Sequence, residues 1–371
     1  MAGSIYGKLF RVSTWGESHG KGVGVVVDGC PAGLELSEED IQVYLNRRKP
    51  GQSKFTTPRK EDDRVEILSG VFEGKTTGTP ISMVVMNYTQ RSGDYSEIAG
   101  YYRPGHADYT FDVKYGFRDY RGGGRSSARE TIARVAAGAI AAKLLKQFGI
   151  EILTYTKAIG PVEIDYQRFD RNEIQKNALA MPDAEAAAQA GAYLESVMKG
   201  HDSSGGMAEC IVTGVPAGIG EPVFDKLDAN LAKAIVSIGA VKGFEIGDGM
   251  AVAKAIGSEN NDGFVMKDGT VAKLSNHAGG TLGGISDGAP LVIRAAFKPT
   301  PSILHEQSTV NKSGEDITVS IKGRHDPIVV PRAVVVVEAM VALTLIDLLF
   351  ENMTARLDKI REFYGIEETE K

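Results

Sequence analysis

Apolar and polar positions alternate from Leu9 to Thr14 and again from Val23 to Asp28, on either side of a short polar turn. That period-two pattern predicts a β-hairpin. Gly29-Cys30-Pro31-Ala32-Gly33-Leu34 then breaks the pattern, and Ser37-Glu38-Glu39-Asp40 opens a helix with capping chemistry. Two long stretches, Ala128 to Phe148 and Arg332 to Phe350, are apolar over most of a helical circumference. Each such helix needs cover on more than one side. The run from Ala333 to Phe350 is long enough to cross a membrane, but Pro331 precedes it and Glu338, Thr344 and Asp347 interrupt it. A buried core helix is the better reading.

The order of these elements recurs. Val212-Thr213-Gly214-Val215-Pro216-Ala217-Gly218-Ile219 repeats the earlier Gly-x-Pro-Ala-Gly turn and precedes a helical stretch from Phe224 to Ile238. Gly78-Thr79-Pro80-Ile81 and Gly288-Ala289-Pro290-Leu291 each lead an apolar strand, and each half closes on one of the long helices. Three matches in the same order point to internal duplication. The pattern predicts an α+β fold, a layered β-α-β sandwich with central long helices between antiparallel sheets. A single catalytic domain over 1–371 is expected, with pseudo-repeated halves at about 1–200 and 201–352 and a charged C-terminal tail, 353–371.

Composition narrows the function. A net charge of −6 excludes a general nucleic-acid or membrane-surface binder, so an anionic ligand must be held by local Arg and Lys clusters. Glycine is abundant, 44 of 371 residues, which calls for many tight turns. Cys30 and Cys210 form no paired or metal-binding spacing and read as reduced core thiols. The opening residues lack an apolar core of the kind a secretory signal needs, so a cytoplasmic protein is expected.

Four constellations carry candidate chemistry. Gly16-Glu17-Ser18-His19-Gly20 places a Ser-His pair in the hairpin connection, where an imidazole serves as general acid or base; its bland reading is a polar turn. Arg103-Pro104-Gly105-His106-Ala107-Asp108 sets a second histidine on a rigid loop, or simply on a surface contact. Asp119-Tyr120-Arg121-Gly122-Gly123-Gly124-Arg125-Ser126-Ser127-Ala128-Arg129-Glu130 runs a glycine-rich turn into a helix, with Ser127 as cap and Glu130 in the capping-box position. A helix start contributes only about 0.3–1 kcal/mol toward an anion, so Arg121, Arg125 and Arg129 are expected to do most of the holding. This spacing is neither a Walker nor a Rossmann pattern. Arg47-Arg48-Lys49-Pro50-Gly51-Gln52-Ser53-Lys54 adds a basic cluster, with a solvated helix end as its plain alternative. The scattered histidines fit no metal spacing, so no metal is expected.

Together, the GESHG motif at 16–20, RRKPGQS at 47–53, YRPGHADYTFDVKYGFRDYRGGGRSSARET at 102–131, VKGFEIGDG at 241–249, SNHAGGTLGGIS at 275–286, KPTPS at 298–302 and KGRHDP at 322–327 resemble the chorismate synthase family, from about residue 4 to about 350. The resemblance implies a carbon–oxygen lyase of the shikimate pathway, serving aromatic amino acid biosynthesis. Its reaction is the anti-1,4-elimination of phosphate from 5-enolpyruvylshikimate 3-phosphate to give chorismate, with reduced FMN as cofactor and no net redox change. It implies His19 as proton donor to the leaving phosphate, His106 as the residue serving the flavin, and Asp326, Ser18 and Ser127 as tuning groups. Arg48, Lys54, Arg103, Arg129 and Arg324 match substrate-side positions. Arg125, Ser126, Ser127, Gly239, Ala240, Gly283, Lys298, Pro299, Thr300, Pro301, Ser302 and Arg324 match the flavin side. A homotetramer is implied too.

Some family members also reduce their flavin with NADPH. No appended domain or dinucleotide fingerprint is present here, so an external flavin-reducing system is the expected partner. Lys54 and Lys49 stand where the family pattern has Arg, which keeps the charge and loses bidentate geometry, and Trp15 replaces a Phe. The competing readings are an FMN-dependent flavin reductase or other oxidoreductase, and an RNA-binding module using the triple-glycine turn.

Overall fold

The computed structural model describes residues 3–56, 61–88, 97–121, 123–321 and 326–366. Its first five-stranded antiparallel sheet is ordered β1-β2-β3-β7-β4. The strands are β1 (Ile5–Tyr6), β2 (Arg11–Gly16), β3 (Gly22–Asp28), β4 (Val65–Ile67) and β7 (Ile81–Met86). The second is ordered β11-β16-β10-β8-β9, from β8 (Glu151–Ile159), β9 (Val162–Glu163), β10 (Gly206–Thr213), β11 (Val241–Ile246) and β16 (Leu291–Phe297). Four hairpins stand apart: β5–β6 (Val71–Phe72, Lys75–Thr76), β12–β13 (Phe264–Lys267, Thr270–Lys273), β14–β15 (Thr281–Leu282, Ile285–Ser286) and β17–β18 (Gln307–Val310, Asp316–Val319). The helices are α1 (Glu38–Arg48), α2 (Asp108–Tyr115), α3 (Thr131–Gln147), α4 (Ala184–Lys199), α5 (Leu227–Val236), α6 (Gly257–Asn260), α7 (Val330–Asn352) and α8 (Leu357–Phe363).

The two long helices lie against each other in the middle layer, α3 on the first sheet and α7 on the second. Their sequences explain this. Both bury residues on every side of the helix, among them Ile132, Val135, Ala136, Ile140 and Leu144 of α3 and the unbroken run Val334 to Leu345 of α7. A helix without a polar face is stable only when enclosed. The polar residues of α7 are spent on partners. Asp347 accepts the backbone N–H groups of Lys8 (2.8 Å), Leu9 (2.7 Å) and Phe10 (2.8 Å). Glu338 receives both Arg47 terminal nitrogens from α1. The helix long and apolar enough to span a membrane is thus the buried centre of the fold.

The two sheets repeat each other in detail. Strands β2-β3-β7-β4 with α1 and α3 correspond to β8-β10-β16-β11 with α5 and α7. The repeated turns carry the same bonds. Thr76 Oγ1 donates to Pro31 O (2.7 Å) and accepts from Leu34 N (3.0 Å). Ser286 Oγ donates to Pro216 O (2.6 Å) and accepts from Ile219 N (2.9 Å). The change of sheet falls between α3 and β8, at 147–151, and not near 200, because β8 pairs with β10 along its whole length.

Two local expectations need correcting. The helix expected from Ala128 starts at Thr131, preceded by a single 3₁₀ turn, Ala128–Glu130. Ser127 caps that turn by accepting from Arg129 N, while Glu130 reaches forward to Arg134, one turn along, and not back to the cap.

Candidate active site

The hairpin β2–β3 aims the first histidine. Gly16 has φ +89°, and a Cβ there would come 2.2 Å from Gly22 O, so the strand can turn here only with glycine. In the turn that follows, Ser18 Oγ and His19 Nδ1 are 3.1 Å apart. The glycine-rich segment braces the strand end. Arg125 donates to Gly16 O (2.9 Å) and Thr14 Oγ1 (2.7 Å).

A chain of charges leads inward from this turn. Asn87 Nδ2 donates to Glu17 O and Gly20 O, and its Oδ1 accepts from Arg129 Nε at 2.6 Å. Arg129 also meets Glu61 and Asp63, and Asp63 meets Arg48. The Asp63 side chain is fully buried. Burial alone would push its carboxyl upward, but the guanidinium groups of Arg48 and Arg129 outweigh it and hold the group below its ordinary range. Arg332 Nε donates to Arg48 O (2.9 Å), and its Nη1 donates to Asp326 Oδ2 (2.5 Å). The neighbouring Pro327 O accepts from Ser204 N (2.8 Å), and Ser203 Oγ donates to Thr300 O (2.6 Å).

The second histidine sits where this chain ends. His106 Nδ1 lies 3.0 Å from Pro104 O, and its Nε2 lies 3.0 Å from Ser302 Oγ. A carbonyl only accepts, so Nδ1 carries the hydrogen and Nε2 accepts from the serine. Burial, reinforced by Arg103, lowers the ring's pKa below 6.5, which agrees with a neutral imidazole. Lys298 holds the loop by donating to Gly105 O (2.8 Å), while its own N–H donates to Ala240 O (2.9 Å). The segments 103–106, 239–240 and 298–302 therefore meet at one place.

Other candidates lie elsewhere or are engaged. Lys54 is exposed, paired with Glu195 and 5.1 Å above the Phe55 ring. Gly283 lies at the start of α5, beside the Gly284 O to Leu227 N bond, whereas Gly239 follows its end. At a rise of 1.5 Å per residue that is about 15 Å away. Arg103 is buried in a bidentate pair with Asp108. The expectation that Arg121, Arg125 and Arg129 hold an anion meets three internally bonded groups: Arg121 is paired with Asp119, Arg125 with backbone carbonyls, and Arg129 with acids and Asn87. Ser126 closes the turn on Gly123 O. Arg324 and Gly122 lie outside the described residues. Asp63, Asn87 and Arg332 escaped sequence reasoning. They carry no motif, and only long-range pairing exposes them. Among the described residues no three His, Cys, Asp or Glu are grouped to hold a metal.

The residues around His106 suit an anionic, hydrogen-bonding ligand, and a phosphate ester such as that of a flavin nucleotide meets this requirement. Thr300 Oγ1 is buried without a hydrogen-bond partner, and a ligand oxygen would satisfy it. Ala240 adopts φ +72°, a backbone strain typical of ligand-clamping turns. Lys298 has its pKa lowered by burial and by the nearby Lys242 ammonium, so an anion between them would be favoured.

A doubled sheet-helix-sheet frame carries two loop imidazoles, with a buried cluster of guanidinium and carboxylate groups between the segments that hold them, an arrangement suited to acid–base chemistry beside an anionic ligand. A family model described as Chorismate synthase matches residues 10–350. A chorismate synthase from Agathobacter rectalis is 71% identical over 364 residues, covering 98% of this chain and 99% of that protein. One from Cytophaga hutchinsonii is 53% identical over 358 residues, 96% and 99% of the two chains. A crystal structure of chorismate synthase superposes with a TM-score of 0.76 at 33% identity, covering 97% of each chain. The chain belongs to the chorismate synthase family.

Proposed function

We propose that this chain, a carbon–oxygen lyase by family, eliminates phosphate from 5-enolpyruvylshikimate 3-phosphate in the anti-1,4 sense to give chorismate, with reduced FMN bound. The observation that carries the reading is the series of hydrogen bonds and short backbone links that ties the His19 turn to the His106 loop, through Asn87, Arg129, Asp63, Arg48, Arg332 and the 203–204, 298–302 and 326–327 segments. One acid–base group stands at each end, and cations lie between.

In this reading Arg48 and Arg129, with Arg103, Lys54 and Arg324, hold the anionic substrate, and His19 gives a proton to the departing phosphate. Ser18 is within hydrogen-bonding distance of the His19 ring and fixes its orientation. Lys298 to Ser302, with Arg125, Ser126, Ser127, Gly239 and Ala240, would hold the cofactor, while Gly283, at the far end of α5, falls outside this group. When bound, reduced FMN supplies electron density for C–O cleavage and a basic position for the ring proton. His106, held neutral, accepts and returns a proton there, and Asp326, fixed by Arg332, tunes that movement. A positioned acid or base contributes roughly 10²- to 10⁴-fold.

The working protein is read as a cytoplasmic homotetramer, one catalytic domain built of two copies of one unit, with flavin reduced by an external system. Anaerobic incubation with the enolpyruvyl substrate and chemically reduced FMN should release inorganic phosphate and a conjugated cyclohexadiene. No phosphate release under those conditions would sink the reading.

A further inference from the structure

Strand β7 ends at Met86, and the next residue is bonded on three sides. The Asn87 backbone N–H donates to Lys21 O at 2.9 Å, which extends the β3–β7 ladder. Its Nδ2 donates to Glu17 O (2.9 Å) and Gly20 O (2.8 Å), the carbonyls on either side of Ser18-His19. Its Oδ1 accepts from Arg129 Nε at 2.6 Å. The partners fix the amide's orientation. Carbonyls only accept and a guanidinium only donates, so a flipped amide would face like poles at every contact.

The residue type matters for the same reason. Aspartate could receive Arg129 but could not donate to the two carbonyls. Serine offers one donor, and lysine offers no acceptor. Arg129 is itself clamped from its far side by Glu61 and Asp63. A rigid, uncharged bridge therefore connects the turn that carries His19 to a guanidinium anchored in the buried charge chain.

We infer that Asn87 is a positioning residue that registers the His19 imidazole against the Arg129 guanidinium, so that proton donor and cation address the same departing anion. The inference rests on the roles proposed above for His19 and Arg129. A residue that merely braced the turn would lower stability and leave turnover of the folded fraction unchanged.

The test uses the full chain with Asn87→Asp and Asn87→Ala, alone and combined with His19→Ala. In Asn87→Asp, two carboxylate oxygens confront the Glu17 and Gly20 carbonyls while the Arg129 contact survives. Turnover should fall about tenfold or more, with KM within about threefold. Asn87→Ala loses both contacts and should change kcat and KM together. In the His19→Ala background, Asn87→Asp should cost nothing further, because effects of residues acting as a unit are not additive. A second readout needs no turnover: the His19 ring signals in the NMR spectrum should shift in Asn87→Asp while those of His106 hold. Should Asn87→Asp fail to fold, Asn87→Ser is used instead, and because it is too short to keep the Arg129 contact it should change kcat and KM together, as Asn87→Ala does, with the same shift of the His19 signals.

Unmoved His19 signals, turnover within twofold of the parent, or an equal loss in the His19→Ala background would overturn the inference. A parent protein that releases no phosphate would instead defeat the proposed function, and the NMR comparison would still decide the role of Asn87.

Discussion

Ser302 gives its hydroxyl hydrogen to Nε2 of His106 at 3.0 Å, across 196 positions of sequence. With Nδ1–H held by Pro104 O, that bond gives both nitrogens of the neutral ring a partner. Ser302→Ala removes the donor and leaves a half-buried acceptor unpaired, at a cost of about 1–3 kcal/mol. Turnover should fall, readable by a phosphate-release assay. His106→Ala should lower turnover at least tenfold while flavin binding, followed by fluorescence, stays roughly intact.

The same ring sets a pH dependence of stability. Its pKa is lowered in the folded protein, so below about pH 6.5 the unfolded chain binds the proton more readily. Stability from this group is complete above about 6.5 and declines as pH falls toward the folded-state value. Melting temperatures measured between pH 8 and 5 should show this decline, and His106→Asn should flatten it.

Asp63 stands between two guanidinium groups, its side chain excluded from solvent. Asp63→Asn keeps the shape and removes the charge, leaving Arg48 buried without a counter-ion. Breaking a buried pair in this way costs about 3–5 kcal/mol. Denaturant unfolding should register a loss of that size, and a change below about 1 kcal/mol would show that the pair does not organise the site.

Gly138 of α3 touches α7 so closely that a Cβ would come 2.3 Å from Ala339 Cβ and 2.5 Å from Ala339 Cα. In an ordinary helix interior, glycine to alanine gains about 1 kcal/mol. Here the clash reverses the sign, because overpacking costs about 1–3 kcal/mol and backbone stands in the way. Gly138→Ala should lower the unfolding midpoint.

Much of the frame was legible because it rests on local patterns. The alternation before and after the GESHG turn gave β2 and β3, and the two all-apolar stretches gave α3 and α7 as the shared middle layer. Even the doubled plan was visible in two Gly-x-Pro-Ala-Gly turns. Its division was misplaced because β8 and β9 lie before the second of those turns, and only their pairing with β10 reveals their sheet. Motifs likewise marked His19 and His106. What they could not show is what occupies the arginines. The acids that engage Arg48 and Arg129 come from an unremarkable stretch, Glu61 to Asp63, and Arg332 reads as one more residue of a buried helix. Such residues become visible only when the chain is folded.

The most direct test counts phosphate against flavin. With limiting reduced FMN and excess 5-enolpyruvylshikimate 3-phosphate under anaerobic conditions, the account predicts many phosphates released per flavin, with the flavin still reduced at the end. One equivalent of flavin oxidised per turnover, or consumption of NADPH in step with product, would contradict it and make the chain an oxidoreductase.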